Sequence, residues 1–116
     1  MNNLVLAYLG DAVYELYVRE HLINEGICKV KDLQKEAVKY VSAVAQAEIL
    51  DRLIGCGFLS SQEIDIVKRG RNAHSHQNKK TDIVTYKKST GFEALIGHLY
   101  ISDKNRLEQV MQEVLR

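Results

Sequence analysis

Not one proline interrupts this chain, and glycine occurs only seven times in 116 residues. Turn-rich and all-β architectures need both as punctuation, which leaves long uninterrupted helices. The apolar residues agree. Leu4, Tyr8, Ala12 and Leu16, with Leu9, Val13, Tyr17 and Leu22, recur at three- and four-residue spacings to about Asn24. Gly10 is a point where this first helix could bend or break, and Glu25-Gly26 stops it. A second helix is expected from Lys31 or Asp32, carrying Leu33, Ala37, Tyr40 and Val41. Ser42 breaks it and caps a third, whose apolar face is Val44, Ala47, Leu50, Leu53 and Ile54, closed by Gly55-Cys56-Gly57. Ser60-Ser61-Gln62-Glu63 reads as a capping box opening a fourth helix through Ile64, Val67 and Lys68. From Arg69 to Lys80 the chain is polar and without period, which predicts a loop. A short helix from about Asp82 to Lys87 follows, then a strongly apolar segment from Phe92 to Ile101. The last helix starts near Asp103 and buries Leu107, Val110, Met111, Val114 and Leu115. The expected fold is all-α, with six or seven helices in one domain spanning residues 1–116.

A hydrophobic content of 46% with 27% charged residues places the chain among soluble globular proteins. No apolar run approaches the roughly 20 residues of a membrane helix, and no signal-peptide pattern is present. Cys28 and Cys56 stand singly, without metal-ligand spacing, which suits a reducing compartment. A cytoplasmic protein with no membrane partner is expected.

Charge is unevenly spread. Of 16 basic and 15 acidic residues, seven basic ones (Lys68, Arg69, Arg71, Lys79, Lys80, Lys87 and Lys88) and a single acid, Asp82, fall between positions 68 and 88. The rest of the chain keeps nine basic against fourteen acidic side chains. A basic patch on an acidic body points to a localised anionic partner.

Two acids sit in apolar, helix-patterned surrounds far apart in sequence: Asp11 in Leu6-Ala7-Tyr8-Leu9-Gly10-Asp11-Ala12-Val13, and Glu93 in Gly91-Phe92-Glu93-Ala94-Leu95-Ile96-Gly97. Each has a purely structural explanation. Asp11 could cap a helix beginning at Ala12, and Thr90-Gly91-Phe92-Glu93 fits a capping box. Yet the face of Glu93 continues through Ile96, Gly97 and Tyr100 into apolar territory, where a carboxylate is costly unless a cation meets it. Small neighbours on both sides allow close backbone approach. A shared hard divalent cation, completed by water and phosphate oxygens, would answer both observations.

Tyr8-Leu9-Gly10-Asp11-Ala12-Val13 followed by Phe92-Glu93-Ala94-Leu95-Ile96-Gly97, with Arg69-Gly70-Arg71-Asn72-Ala73 between them, resembles the paired signature of the ribonuclease III catalytic domain. The likeness spans essentially the whole chain. It is nearest to the short Mini-III class, which lacks a double-stranded-RNA-binding domain. The resemblance implies an all-α helical bundle of the ribonuclease III endonuclease-domain kind, acting as a homodimer. It implies a Mg²⁺-dependent endoribonuclease, with Mn²⁺ as substitute, that cuts double-stranded RNA to leave 5′-phosphate ends. It further implies a role in maturing the large-subunit (23S) ribosomal RNA precursor. Asp11 and Glu93 carry over as the catalytic and metal-binding residues. Two acids of the longer family members do not carry over: Ala7 stands four positions before Asp11, and Thr90 three before Glu93. Glu15 could be recruited in their place, although a solvated or ion-paired Glu15 is the simpler expectation.

Lys68, Arg69, Arg71, His74, His76, Lys79 and Lys80 are the expected RNA contacts, with Lys87 and Lys88 extending the patch. Duplex RNA is recognised mostly through shape, phosphates and 2′-hydroxyls, for which forked guanidinium groups and a close backbone at Gly70 suffice. The bland alternative is a solvated charged loop. His74-Ser75-His76 as a transition-metal pair is weakly supported by two ligands alone. Two rival functions stay open on sequence. One is a metal-independent ribonuclease, since Arg71-Asn72 followed by His76 also resembles the signature of the all-α HEPN ribonucleases. The other is an RNA-binding module that kept the fold and lost activity. His21 and His98 sit within helices and read as structural.

Overall fold

The computed structural model describes residues 1–73 and 82–116, and six helices account for nearly all of them. They are α1 (Asn3–Asn24), α2 (Val30–Val41), α3 (Ala43–Gly55), α4 (Ser61–Arg71), α5 (Ile83–Ser102) and α6 (Lys104–Leu115). No strand occurs among the described residues, and no helix among them is long and apolar enough to cross a membrane.

Helix starts follow local chemistry. Asn2 Oδ1 accepts from the Val5 amide at 2.9 Å, and Ser42 Oγ from the Ala45 amide at 3.2 Å. The Ser60–Glu63 capping box is complete: Ser60 Oγ accepts from the Glu63 amide, and Glu63 Oε1 from the Ser60 amide. Asp82 and Asp103 cap α5 and α6 in the same way. Each cap satisfies one or two amides that the first helical turn leaves open, at about 1 kcal/mol apiece. Glu63 has a second task. Its carboxylate receives two donors from Arg106, at 2.8 and 2.9 Å, while Arg106 also reaches Phe58 O at 2.7 Å, tying α4 to α6.

Helix α5 is the axis of the molecule. Ser89 to Phe92, Ala94 to Gly97 and Leu99 are all buried, and only Glu93 and His98 keep partial exposure along its centre. Such a helix must be surrounded, and α1, α3, α4 and α6 pack around it. Phe92 meets the Tyr14 ring edge-on at 5.0 Å, and the Tyr14 hydroxyl donates to Tyr40 O at 2.8 Å, which draws α2 onto the core. Val18, Leu53, Leu95, Ile96 and Val110 complete its driest part.

Three sequence expectations need correction. Gly10 neither bends nor breaks α1, because the glycine is buried against α5 and uninterrupted helix is what brings it there. The segment from Asp82 to Ile101 is one helix, not a short helix followed by another element. Gly91 lies against the main chain of Val67, while the Ser89 and Thr90 hydroxyls fold back onto Tyr86 O at 2.8 and 3.1 Å. Finally, Arg69, Gly70 and Arg71 belong to α4, which ends at Arg71 with Asn72 as its cap, so no loop begins at Arg69. Buried Gly70 continues the packed face against Ala94 and Gly91, and three cations suit the negative end of the helix dipole.

Candidate active site

Helices α1 and α5 cross through their main chains. A Cβ added to Gly97 would stand 2.0 Å from Leu6 O, and one added to Gly10 would collide with Glu93 O and Gly97 N. Only glycine at both positions permits this approach, and its consequence is chemical. Asp11 follows Gly10 on α1, and Glu93 lies one turn before Gly97 on α5, so the crossing brings the two carboxyl groups within hydrogen-bonding reach. Neither acid caps a helix. Both sit mid-helix, which removes the structural explanations their sequence contexts allowed.

The environment of Glu93 is unfavourable for a charge. Burial first, then the negative charge of Asp11 and a hydrogen bond to it, push the Glu93 carboxyl up to about 8, against a weaker opposing donation from Gln46. Asp11 itself is exposed. Two acids so placed cannot both carry charge comfortably without a cation between or beside them.

The donor set fits a hard divalent ion: carboxylate oxygens from two rigid helices, and beside them a buried amide oxygen, Gln46 Oε1, that has no partner. No group of three His, Cys, Asp or Glu side chains exists among the described residues. The pair would offer two charged ligands to a divalent cation, with water and substrate oxygens supplying the rest. The two positions where the sequence resemblance would place further acids are occupied by packing. Ala7 is buried with Leu6 and Ala94, and Thr90 is buried with its hydroxyl bonded to Tyr86 O. Glu15 is held by Arg19 at 3.3 Å and joins neither acid.

The cations are arranged less simply than the sequence suggests. Lys68, Arg69 and Arg71 are exposed on the last turn of α4, with Arg69 Nε donating back to Asp65 O at 3.5 Å. Lys88 is committed to Asp51 of α3 at 3.0 Å, whereas Lys87 is exposed. The expected contacts His74, His76, Lys79 and Lys80 lie outside the described residues. His21 approaches Glu25 at 3.5 Å and packs near Tyr40, a structural placement.

Gln46 is the residue that sequence reasoning passed over. It falls four before Leu50 and seven before Leu53, on the buried face of α3, so a polar residue at a core register was the available signal.

The model of the ribonuclease III domain family matches residues 4–104. The chain is 50% identical over 111 residues to the Mini-ribonuclease 3 of Symbiobacterium thermophilum, covering 94% of this chain and 84% of that one. It is 47% identical to the Mini-ribonuclease 3 of Acholeplasma laidlawii, covering 96% and 89% of the two chains. An X-ray crystal structure of a Fusobacterium nucleatum protein superimposes with a TM-score of 0.85 at 28% identity, over 96% of this chain and 90% of that one. With its two glycine-locked helices and matching signature segments, the chain belongs to the ribonuclease III family, in the Mini-ribonuclease 3 class of endoribonucleases.

Proposed function

We propose that this endoribonuclease hydrolyses double-stranded RNA with Mg²⁺, or Mn²⁺ in its place, held by Asp11 and Glu93. The observation that carries the reading is the meeting of those two carboxylates at the α1–α5 crossing. Residues 1–116 act as one catalytic unit in the cytoplasm, and the substrate is a duplex of the large-subunit ribosomal RNA precursor.

Asp11, exposed, and Glu93, half-buried and deprotonated, would hold the ion. When bound, it would supply Lewis acidity toward a phosphate and a lowered pKa for water, and hydrolysis of the RNA would leave a 5′-phosphate and a 3′-hydroxyl. Lys68, Arg69 and Arg71 hold the RNA backbone by its phosphates, together with His74, His76, Lys79 and Lys80.

A homodimer completes the reading. On α1 the exposed residues Tyr8, Leu16 and Ile23, 84%, 58% and 57% accessible, follow one helical stripe facing away from α5. Val30 and Val38 of α2, both exposed, border the groove beside Ile23. An apolar strip of this length suits a second copy of the chain. Two copies would set two carboxylate pairs against the two strands of one duplex.

Cleavage of a duplex RNA abolished by EDTA and restored by Mg²⁺ is the expected result. Cleavage indifferent to EDTA but lost in His76→Ala would transfer the activity to the metal-free Arg71/His76 chemistry.

A further inference from the structure

Gln46 stands in the first turn of α3, 1% exposed, directly behind Glu93. Its amide nitrogen donates to Glu93 Oε2 at 3.3 Å and to Val41 O at 3.2 Å. A carbonyl can only accept, so Val41 fixes which way round the amide lies. The other end, Oε1, is buried and unpartnered. A methionine or leucine would fill this space without stranding an oxygen, so packing alone gives no reason for glutamine here.

Local structure aims the side chain. Ser42 separates α2 from α3, capping α3 through Ala45 and receiving the Gln46 amide N–H on its own carbonyl at 2.9 Å. The reversal leaves Val41 O at the end of α2 without a helical partner, and Gln46 bridges from that carbonyl to the carboxylate on α5. The Gln46 amide is thus the neutral donor set on Glu93 Oε2.

We infer that Gln46 is a positioning residue of the active site: its amide N–H₂, anchored on Val41 O, holds Glu93 facing Asp11. This rests on the two-carboxylate metal reading above and adds a third side chain to it.

The test uses the full chain without RNA, and Mn²⁺ as the probe. Gln46→Met preserves volume and removes both polar ends. Partners behind metal ligands typically contribute about 10- to 100-fold in metal affinity. The expected result is Mn²⁺ binding weakened about ten-fold or more, by electron paramagnetic resonance of the free ion, with an unchanged or higher urea midpoint in EDTA. Cleavage by the variant should recover as Mn²⁺ is raised, because a mispositioned ligand is compensated by metal. Gln46→Asn, whose amide is too short to bridge, should show the same loss and covers the case in which the methionine variant fails to fold. Wild-type Mn²⁺ affinity in a folded variant would overturn the role of Gln46 and leave the metal reading standing. So would a urea midpoint that falls in step with the affinity. A wild-type protein that binds no Mn²⁺ and cleaves RNA in EDTA would instead remove the metal reading itself.

Discussion

Gly10 lies directly against the main chain of Glu93: a methyl group at Gly10 would stand 1.8 Å from the Glu93 carbonyl oxygen. No side-chain rotation relieves such a contact, so Gly10→Ala must push α1 away from α5. Overpacking of this kind costs about 1–3 kcal/mol, and here it also parts the two carboxylates. The variant should show both a lower urea midpoint and weaker Mn²⁺ binding. Gly55→Ala is the control, since a Cβ there meets nothing within 4 Å. Equal behaviour of the two variants would show that the helix crossing does not set the site.

Asp11→Asn removes the charge that faces Glu93 and keeps the shape. Cleavage should fall on the order of a hundred-fold or more, as when a group stabilising transition-state charge is lost. RNA affinity should be nearly retained. The urea midpoint at pH 8 should hold or rise, because one of two repelling carboxylates is gone. Turnover at the wild-type rate would remove Asp11 from the catalytic role.

Glu93 makes the metal-free protein sensitive to pH. Its folded-state value of about 8 lies above the ordinary 4.5, so the native state binds the extra proton. The associated stability is complete below about pH 4.5 and is lost as pH rises through 8. Between pH 5 and pH 8 in EDTA, wild type should lose stability relative to Glu93→Gln by at least about 1.4 kcal/mol, the worth of one pH unit. Urea titrations at the two pH values test this, and parallel behaviour of the two proteins would contradict it. The same protonation implies that Mg²⁺ uptake at pH 7 releases a proton, readable by calorimetry in buffers of differing ionisation enthalpy.

What sequence revealed and what it hid divide along the range of the interaction. Ser42, Ser60 with Glu63, and Asp103 act on amides three residues away, so their signals lie within one window of sequence. Asp11 and Glu93 stand out because their sequence neighbours are apolar, although the fold half-buries Glu93 and leaves Asp11 exposed. The sequence divides α5 where Thr90-Gly91-Phe92-Glu93 fits a capping box, and the helix is continuous because α4 covers Gly91. Arg69 to Arg71 looked like a loop because three cations and a glycine show no period, while the buried glycine is what keeps them in α4. Gln46 escaped for a related reason. A single polar residue inside a helix carries no sign of the carboxylate that α5 brings to it.

The α1 stripe predicts a dimer that one charge should disrupt. Leu16 is 58% exposed, midway between Tyr8 and Ile23, and Leu16→Glu would bury a carboxylate in an apolar interface if two copies meet there. Sedimentation should find wild type as a dimer and the variant as a folded monomer with unchanged helicity. A monomeric wild type would sink the homodimer.

The cations of α4 can be read through salt. Each phosphate contact contributes roughly one unit to the slope of log affinity against log salt concentration for a duplex. Lys68, Arg69 and Arg71 are all exposed on one helical turn, so a triple alanine variant should lower that slope by about two to three and weaken duplex binding at every sequence alike. Lys88→Ala makes a sharp comparison, because Lys88 is already paired with Asp51 at 3.0 Å and should leave the slope almost unchanged. Fluorescence anisotropy with a labelled duplex across a range of KCl concentrations measures both. A triple variant with the wild-type slope would move the RNA surface away from the end of α4.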